Sequence, residues 1–183
     1  MAIGALAEAA QLTSDNVAAN LLMRQLGGPD RLTAILREMG DAHTRIDRYE
    51  PMMNLVTAGE PRDTTTPGAM AQLVAQIMTG DVLAADSRER LAAWMIATTT
   101  GRKRIRAGLP AGWKAGDKTG TAQAEGMPNK HNDVAIIWPP QRAPVVIAAY
   151  FEASGSFDPM RAEDEAVLAE VGRIGARWIL REH

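Results

Sequence analysis

Glu50 and Asn54 stand four residues apart in a stretch, Asp41 to Asp63, that shows neither helical nor strand periodicity. A carboxylate acts as a base on water held within about 3 Å of it, a geometry that a positioned loop can supply. The Asn54 amide can hold the same water. Further along, Lys118-Thr119-Gly120-Thr121 sets an ammonium and two hydroxyls on one short extended run. That combination suits an anionic carboxylate. Ser14-Asp15-Asn16 is a third polar cluster. Each group also has a plain reading. Glu50 fits a solvated surface position, Lys118 fits an edge-strand guard against aggregation, and Ser-Asp-Asn fits a helix cap.

The elements that must position these groups fall in two blocks. The first half reads helical. Ala2 to Ala10 is alanine-rich, and alanine is the best helix former. Asn16 to Leu26 has helical spacing at Val17, Asn20, Leu21 and Arg24, and closes at Gly27-Gly28. Pro29 opens a helix over Asp30 to Met39, with Leu32, Ile35 and Leu36 on one face. The aperiodic stretch follows, too long for an ordinary connection, and loops of that length are usually functional or disordered. Thr66-Pro67 signals a helix start with Thr66 as cap. Helices over Ala69 to Met78 and Ser87 to Thr98 come next.

The last third switches period. Trp113 to Thr121, Asp133 to Trp138 and Val145 to Phe151 read as strands. Val134-Ala135-Ile136-Ile137 and Val145-Val146-Ile147 are apolar on both faces, which predicts a sheet covered on both sides. Pro139 to Arg142 makes a tight turn and so an antiparallel hairpin. Glu163 to Leu180 reads as a final amphipathic helix burying Val167, Leu168, Val171, Ile174 and Trp178. Trp94, Trp113 and Trp138 read as packing residues as well. Helices, then strands, then a helix is an α+β pattern. We divide it at 110: a mostly helical part over 1–110 that includes the loop 48–63, and strands with a closing helix over 111–183.

Bulk properties narrow the field. The chain has 183 residues, 46% hydrophobic and 23% charged, with a net charge of −2. It is long enough for one compact domain. The charge gives no pull toward nucleic acid or an anionic membrane, and no apolar run is long enough to span a bilayer. There is no cysteine, hence no disulfide and no thiol nucleophile. His131 and the other histidines show no metal-ligand spacing. Met1 to Leu6 lacks a basic leader, and Glu8 interrupts the apolar stretch, so no signal peptide is legible. Met1 therefore reads as an internal methionine or an internal start.

Ser-x-x-Lys, Ser-Asp-Asn and Lys-Thr-Gly together mark class A β-lactamases and penicillin-binding proteins. The chain carries the last two in order. Between and after them stand Arg48-Tyr49-Glu50-Pro51-Met52-Met53-Asn54, Arg62 to Pro67, and Trp138-Pro139-Pro140. It resembles the C-terminal two thirds of a class A serine β-lactamase over nearly its whole length. Met52-Met53 departs from the commoner polar-Leu pair.

That resemblance implies a helical domain beside a sheet domain with a cleft between them, a β-lactam substrate, and neither cofactor nor metal. Glu50 becomes the base for the deacylating water, shared with Asn54. Ser14 relays a proton to the leaving nitrogen under the influence of Lys118, and Asn16 binds the substrate's side-chain amide. Thr119 and Thr121 bind the substrate carboxylate, Gly120 leaves room along the strand, and the Thr121 N–H is an oxyanion donor. A guanidinium is also needed for the carboxylate. The matching place on the following strand is His131, so the choice falls on Arg104, within the cluster Arg102, Lys103, Arg104 and Arg106. The alternative for that cluster is a solvated basic helix. Arg48 and Asp63 form the salt bridge that closes the loop neck, against the alternative of two unrelated surface charges. The Glu50–Pro51 bond is a candidate cis peptide.

Four serines occur, Ser14, Ser87, Ser154 and Ser156. Three residues after them stand Val17, Arg90, Phe157 and Pro159. None is lysine, so the family nucleophile has no counterpart in this chain. On this reading two strands and a helix of the fold lie N-terminal to it. The isolated chain is then expected to lack activity, to leave a sheet edge and apolar faces open, and to be unstable unless a complementing segment is supplied. The resemblance implies a periplasmic or secreted parent. Rival readings are a penicillin-binding D,D-peptidase and a non-catalytic remnant.

Overall fold

The computed structural model describes residues 2–181. Among the described residues nine regular elements follow one another: α1 (Ile3–Thr13), α2 (Asn16–Gln25), α3 (Pro29–Glu38), α4 (Pro67–Thr79), α5 (Ala85–Ala97), β1 (Lys114–Ala124), β2 (Met127–Trp138), β3 (Val145–Glu152) and α6 (Ala162–Arg181). Short 3-10 turns stand at Met52–Asn54 and Ile105–Gly108. This is the expected α+β order. Among the described residues no helix is long and apolar enough to cross a membrane. The reading of Met1 lies outside the described residues.

The strands form one antiparallel sheet in the order β1-β2-β3. In its register Thr119 faces Asp133 and Thr121 faces His131, while Asp133 faces Ala149. The central strand starts earlier than its sequence suggests, at Met127 rather than Asp133. Pro128 and the polar run Asn129 to Asn132 hide it, because a proline inside a run argues against a strand. Pro128 is tolerated because β3 pairs with β2 only from Lys130 onward.

Helices cover both faces of the sheet. α4 lies on β3 and α5 on β1, whereas α6 and the 105–108 turn cover the opposite face. Met78, Met95 and Ile136 make the core under the first layer. Ile105, Ala135, Ala149 and Leu168 make the core under the second. Fully burying a branched aliphatic side chain of this kind contributes roughly 1.5–3 kcal/mol.

The buried face of α6 corrects the sequence reading. Leu168 is buried and Val171 packs against the same cluster. Val167, Ile174 and Trp178 are instead exposed, Trp178 at 55%. The seated stripe is Asp164, Leu168, Gly172 and Ala176, with Ala169 and Ile179 beside it. Small residues let the helix approach closely: a Cβ on Gly172 would come within 2.1 Å of the Ile105 carbonyl oxygen. A search for bulky apolar residues picks the wrong stripe where the contact is backbone to backbone.

Candidate active site

Two helix ends and one strand bring the first polar groups together. Ser14 is the C-cap of α1, in the left-handed region at φ 56°. Asp15 caps α2 by accepting the Ala18 N–H at 2.8 Å, which sets Ser14 in the corner between two helices. Gln11 fixes that corner to the sheet: its Nε2 donates to the Asp117 carbonyl at 2.9 Å and to Thr98 Oγ1 at 3.0 Å. Lys118, one residue further along β1, then donates from Nζ to Ser14 Oγ at 2.6 Å and to the Thr119 carbonyl at 2.6 Å. Burial pulls the Lys118 ammonium below its ordinary value, and the charges of Asp117 and Glu50 oppose that pull.

The loop supplies the carboxylate. Its neck closes through Arg48 Nε and Asp63 Oδ2 at 2.5 Å. Asp63 Oδ1 also accepts the Asp47 and Arg48 N–H groups at 2.7 and 2.9 Å, and Asp47 Oδ2 accepts the Asp63 N–H at 2.8 Å. With Asp63 1% exposed, these are not two unrelated surface charges. Beyond the neck the Glu50–Pro51 peptide is cis. The Met52–Asn54 turn brings Asn54 back onto Glu50, whose carboxylate accepts from Asn54 Nδ2. Burial pushes the Glu50 carboxyl up, against the Asn54 hydrogen bond and the Lys118 charge.

Asn20 was not singled out from sequence as a site residue. Its amide makes a two-point clamp on Glu50, accepting the Glu50 N–H and donating to the Glu50 carbonyl, both at 2.9 Å. Only its place one helical turn beyond Asn16 hints at this, and that spacing has many other meanings. Thr100 was missed for the same reason; it bonds Thr119 Oγ1 at 2.8 Å.

A cavity of about 530 Å³ runs along β1 and under the loop. Asn54, Lys118, Thr119, Gly120 and Thr121 stand on its wall, as do Asp133 and Tyr150. Glu50, Ser14 and Arg104 are attached to that wall through Asn54, Lys118 and Thr121. Asn16 opens α2, is exposed, and is not part of the wall. A Cβ on Gly120 would meet Asn132 Cβ at 3.3 Å, so the strand is closely backed there.

The four basic residues of the 102–106 cluster separate, and Arg102 is exposed. Arg104 is 4% exposed, so it is not part of a solvated helix. Its Nη2 donates to Thr121 Oγ1 at 2.7 Å, and its Nη1 donates to the Asn132 and Gly120 carbonyls at 2.7 and 3.1 Å. Arg106 pairs with the buried Asp117 at 2.5 Å. Lys103 points outward, 3.9 Å from Glu165. His131 turns to the α6 face, fully buried, with Nε2 3.9 Å from Asp164 Oδ2, and burial pulls its pKa down. Among the described residues no cluster of His, Cys, Asp or Glu is arranged to hold a metal ion.

This geometry has close relatives. The profile of the Beta-lactamase enzyme family matches residues 1–179. The chain is 47% identical over 175 residues to beta-lactamase AST-1 of Nocardia asteroides, covering 95% of this chain and 54% of that protein. It is 42% identical over 174 residues to the carbapenem-hydrolyzing beta-lactamase KPC of Klebsiella oxytoca, covering 95% and 57%. Among solved structures, a beta lactamase from Burkholderia vietnamiensis aligns at a TM-score of 0.89 with 44% identity, over 100% of this chain and 65% of that one. An ancestral class A beta-lactamase aligns at 0.88 with 49% identity, over 97% and 66%. The chain thus spans little more than half the length of the curated relatives it matches. These likenesses lend no support to a separate complementing segment. By profile, identity and fold, the chain belongs to the beta-lactamase enzyme family, within class A.

Proposed function

We propose that the site serves hydrolysis of β-lactam amides through a serine acyl-enzyme, and that this chain supplies the deacylating and substrate-holding groups. The observation that carries the proposal is the pairing of Glu50 with Asn54 beside the cavity wall that bears Lys118, close enough for each ionised group to feel the other's charge. A carboxyl raised by burial is a stronger base toward water than an ordinary surface one. In deacylation, water held between Glu50 and Asn54 attacks the acyl carbonyl carbon, and its proton passes to Glu50. The ester C–O bond then breaks, and the departing serine oxygen takes that proton back.

The other roles follow from charge and reach. Lys118 and Arg104 surround Thr119 and Thr121 with positive charge, which favours an anionic substrate at their hydroxyls. Ser14, bonded to Lys118, is placed to pass a proton to the lactam nitrogen when the C–N bond opens. Asn16 is the proposed ligand for the substrate's side-chain amide, and Thr121 N–H one oxyanion donor. The working compartment on this reading is the periplasm or the exterior.

The attacking hydroxyl is not supplied by Ser14, Ser87, Ser154 or Ser156, since none is followed by lysine at the third position. We propose accordingly that the 183-residue polypeptide alone binds a β-lactam without acylation. The test is nitrocefin turnover together with calorimetric titration of benzylpenicillin. Turnover at the buffer rate with saturable binding is expected. Turnover by the polypeptide as it stands would contradict the inactivity, and absence of binding would contradict the site. A D,D-peptidase has no use for a deacylating base, so the contact of Asn54 with the Glu50 carboxylate favours the lactamase reading over that one.

A further inference from the structure

Arg104 is a buried cation whose partners are mostly neutral. Three of its four hydrogen bonds go to two carbonyls and a hydroxyl, and only Nε reaches a carboxylate, Glu165 Oε1 at 3.4 Å. A buried charge without close compensation is costly. A second carboxylate lies inside the same web. Asp133 is 1% exposed. Its Oδ2 accepts the N–H of Ile105, the residue after Arg104, at 3.1 Å. Its Oδ1 is buried and has no hydrogen-bond partner among the described residues. The preceding residue, Asn132, offers its carbonyl to Arg104 Nη1. In the sheet, Asp133 stands directly opposite Thr119.

The carboxyl therefore holds the backbone that launches the Arg104 side chain, from the strand that receives its tip. We propose that Asp133 is the positioning residue of the Arg104 guanidinium, anchoring its backbone and supplying the negative charge that lets it stay buried beside Thr121. The inference rests on the functional reading only where it extends to ligand affinity: a guanidinium fixed at Thr121 is what a substrate carboxylate meets. The competing account is a polar plug that stabilises the turn and leaves Arg104 indifferent.

The experiment uses the 183-residue chain at about pH 8, above the range in which the Asp133 carboxyl takes up a proton, with D133N and D133A beside it. The readouts are the ¹⁵N resonance and hydrogen exchange of Arg104 Nε–Hε, and calorimetric affinity for benzylpenicillin against its methyl ester. D133A is expected to speed the exchange about tenfold and to weaken benzylpenicillin about tenfold, a loss of roughly 1.4 kcal/mol, with the ester unaffected. D133N keeps an acceptor for the Ile105 N–H but no charge, and should fall between D133A and the parent. An unchanged Arg104 resonance and exchange rate in folded D133N or D133A overturns the proposal, whatever the urea midpoint does. If D133A does not fold, D133N decides alone. If the parent chain binds no penicillin, the functional reading fails, while the exchange comparison still decides the role of Asp133.

Discussion

Lys118 Nζ lies 2.6 Å from Ser14 Oγ, joining residues 104 positions apart in the chain. The contact exists because Gln11 ties the end of α1 to β1 at Asp117, the residue before Lys118. Replacing Ser14 by alanine removes one neutral acceptor from an ammonium, whereas replacing Lys118 by alanine removes the charge. Calorimetric titration with benzylpenicillin at pH 7 should therefore show about a threefold loss for Ser14→Ala and at least a tenfold loss for Lys118→Ala. Equal affinities for the two variants would remove Lys118 from substrate binding.

Glu50 is held up by burial and pulled down by Asn54. Asn54→Ala leaves the burial and removes the counterweight. The Glu50 carboxyl carbon, followed by ¹³C NMR from pH 3 to 9, should titrate higher in Asn54→Ala than in the parent chain. A midpoint that stays put or moves down would show that Asn54 does not govern this carboxyl.

Asp63 collects the Asp47 N–H, the Arg48 N–H and the Arg48 guanidinium on one nearly buried carboxylate. Its backbone is left-handed, at φ 55°, a conformation that asparagine tolerates far better than alanine. Asp63→Ala should cost about 3–5 kcal/mol, the scale for stranding one partner of a buried pair. Asp63→Asn should cost less, because both backbone bonds survive. Amide exchange at Asp47 and Arg48 reads this directly; equal exchange in the two variants would mean that the neck is held elsewhere.

Asp117 and Asp133 are pushed up to about 6 and about 7, in each case chiefly by burial. Their unfolded values lie near 3.8, so between roughly pH 4 and pH 7 these two carboxyls hold more protons in the folded chain than in the unfolded one, while His131, pulled down by burial, works the other way just below its ordinary value of 6.5. The contribution of the two carboxyls to stability then falls as pH rises through that window, by up to a few kcal/mol in all. The direction is opposite to that of a salt-bridged aspartate with a depressed pKa. Urea midpoints measured from pH 4.5 to 7.5 should decline, and Asp133→Asn should flatten the upper part of the curve. A parent midpoint that rises steadily over this range would contradict it.

Much of this protein was legible from local rules. Thr66 caps α4 by accepting the Ala69 N–H with Pro67 in its first turn, because capping and proline geometry are decided within four residues. The strands announced themselves by apolar runs, and the polar trios Ser14 to Asn16 and Lys118 to Gly120 by order and type. Their order and type also carried the family resemblance.

Other features depended on which surfaces meet. The sequence marked Trp178 as buried, yet α6 seats itself on Gly172 and Ala176 and leaves Trp178 outside, since close backbone approach outweighs side-chain bulk. Nothing in the spacing of Asn20, Thr100 or Asp133 set them apart from ordinary polar residues. Their partners lie 30, 19 and 28 residues away, and a hydrogen bond across such a distance is created only when the chain closes on itself. Residue types and local propensities thus decided which groups and elements the molecule has. Tertiary packing alone decided which carboxylates lie buried beside which cations, and burial is what moves their proton affinities.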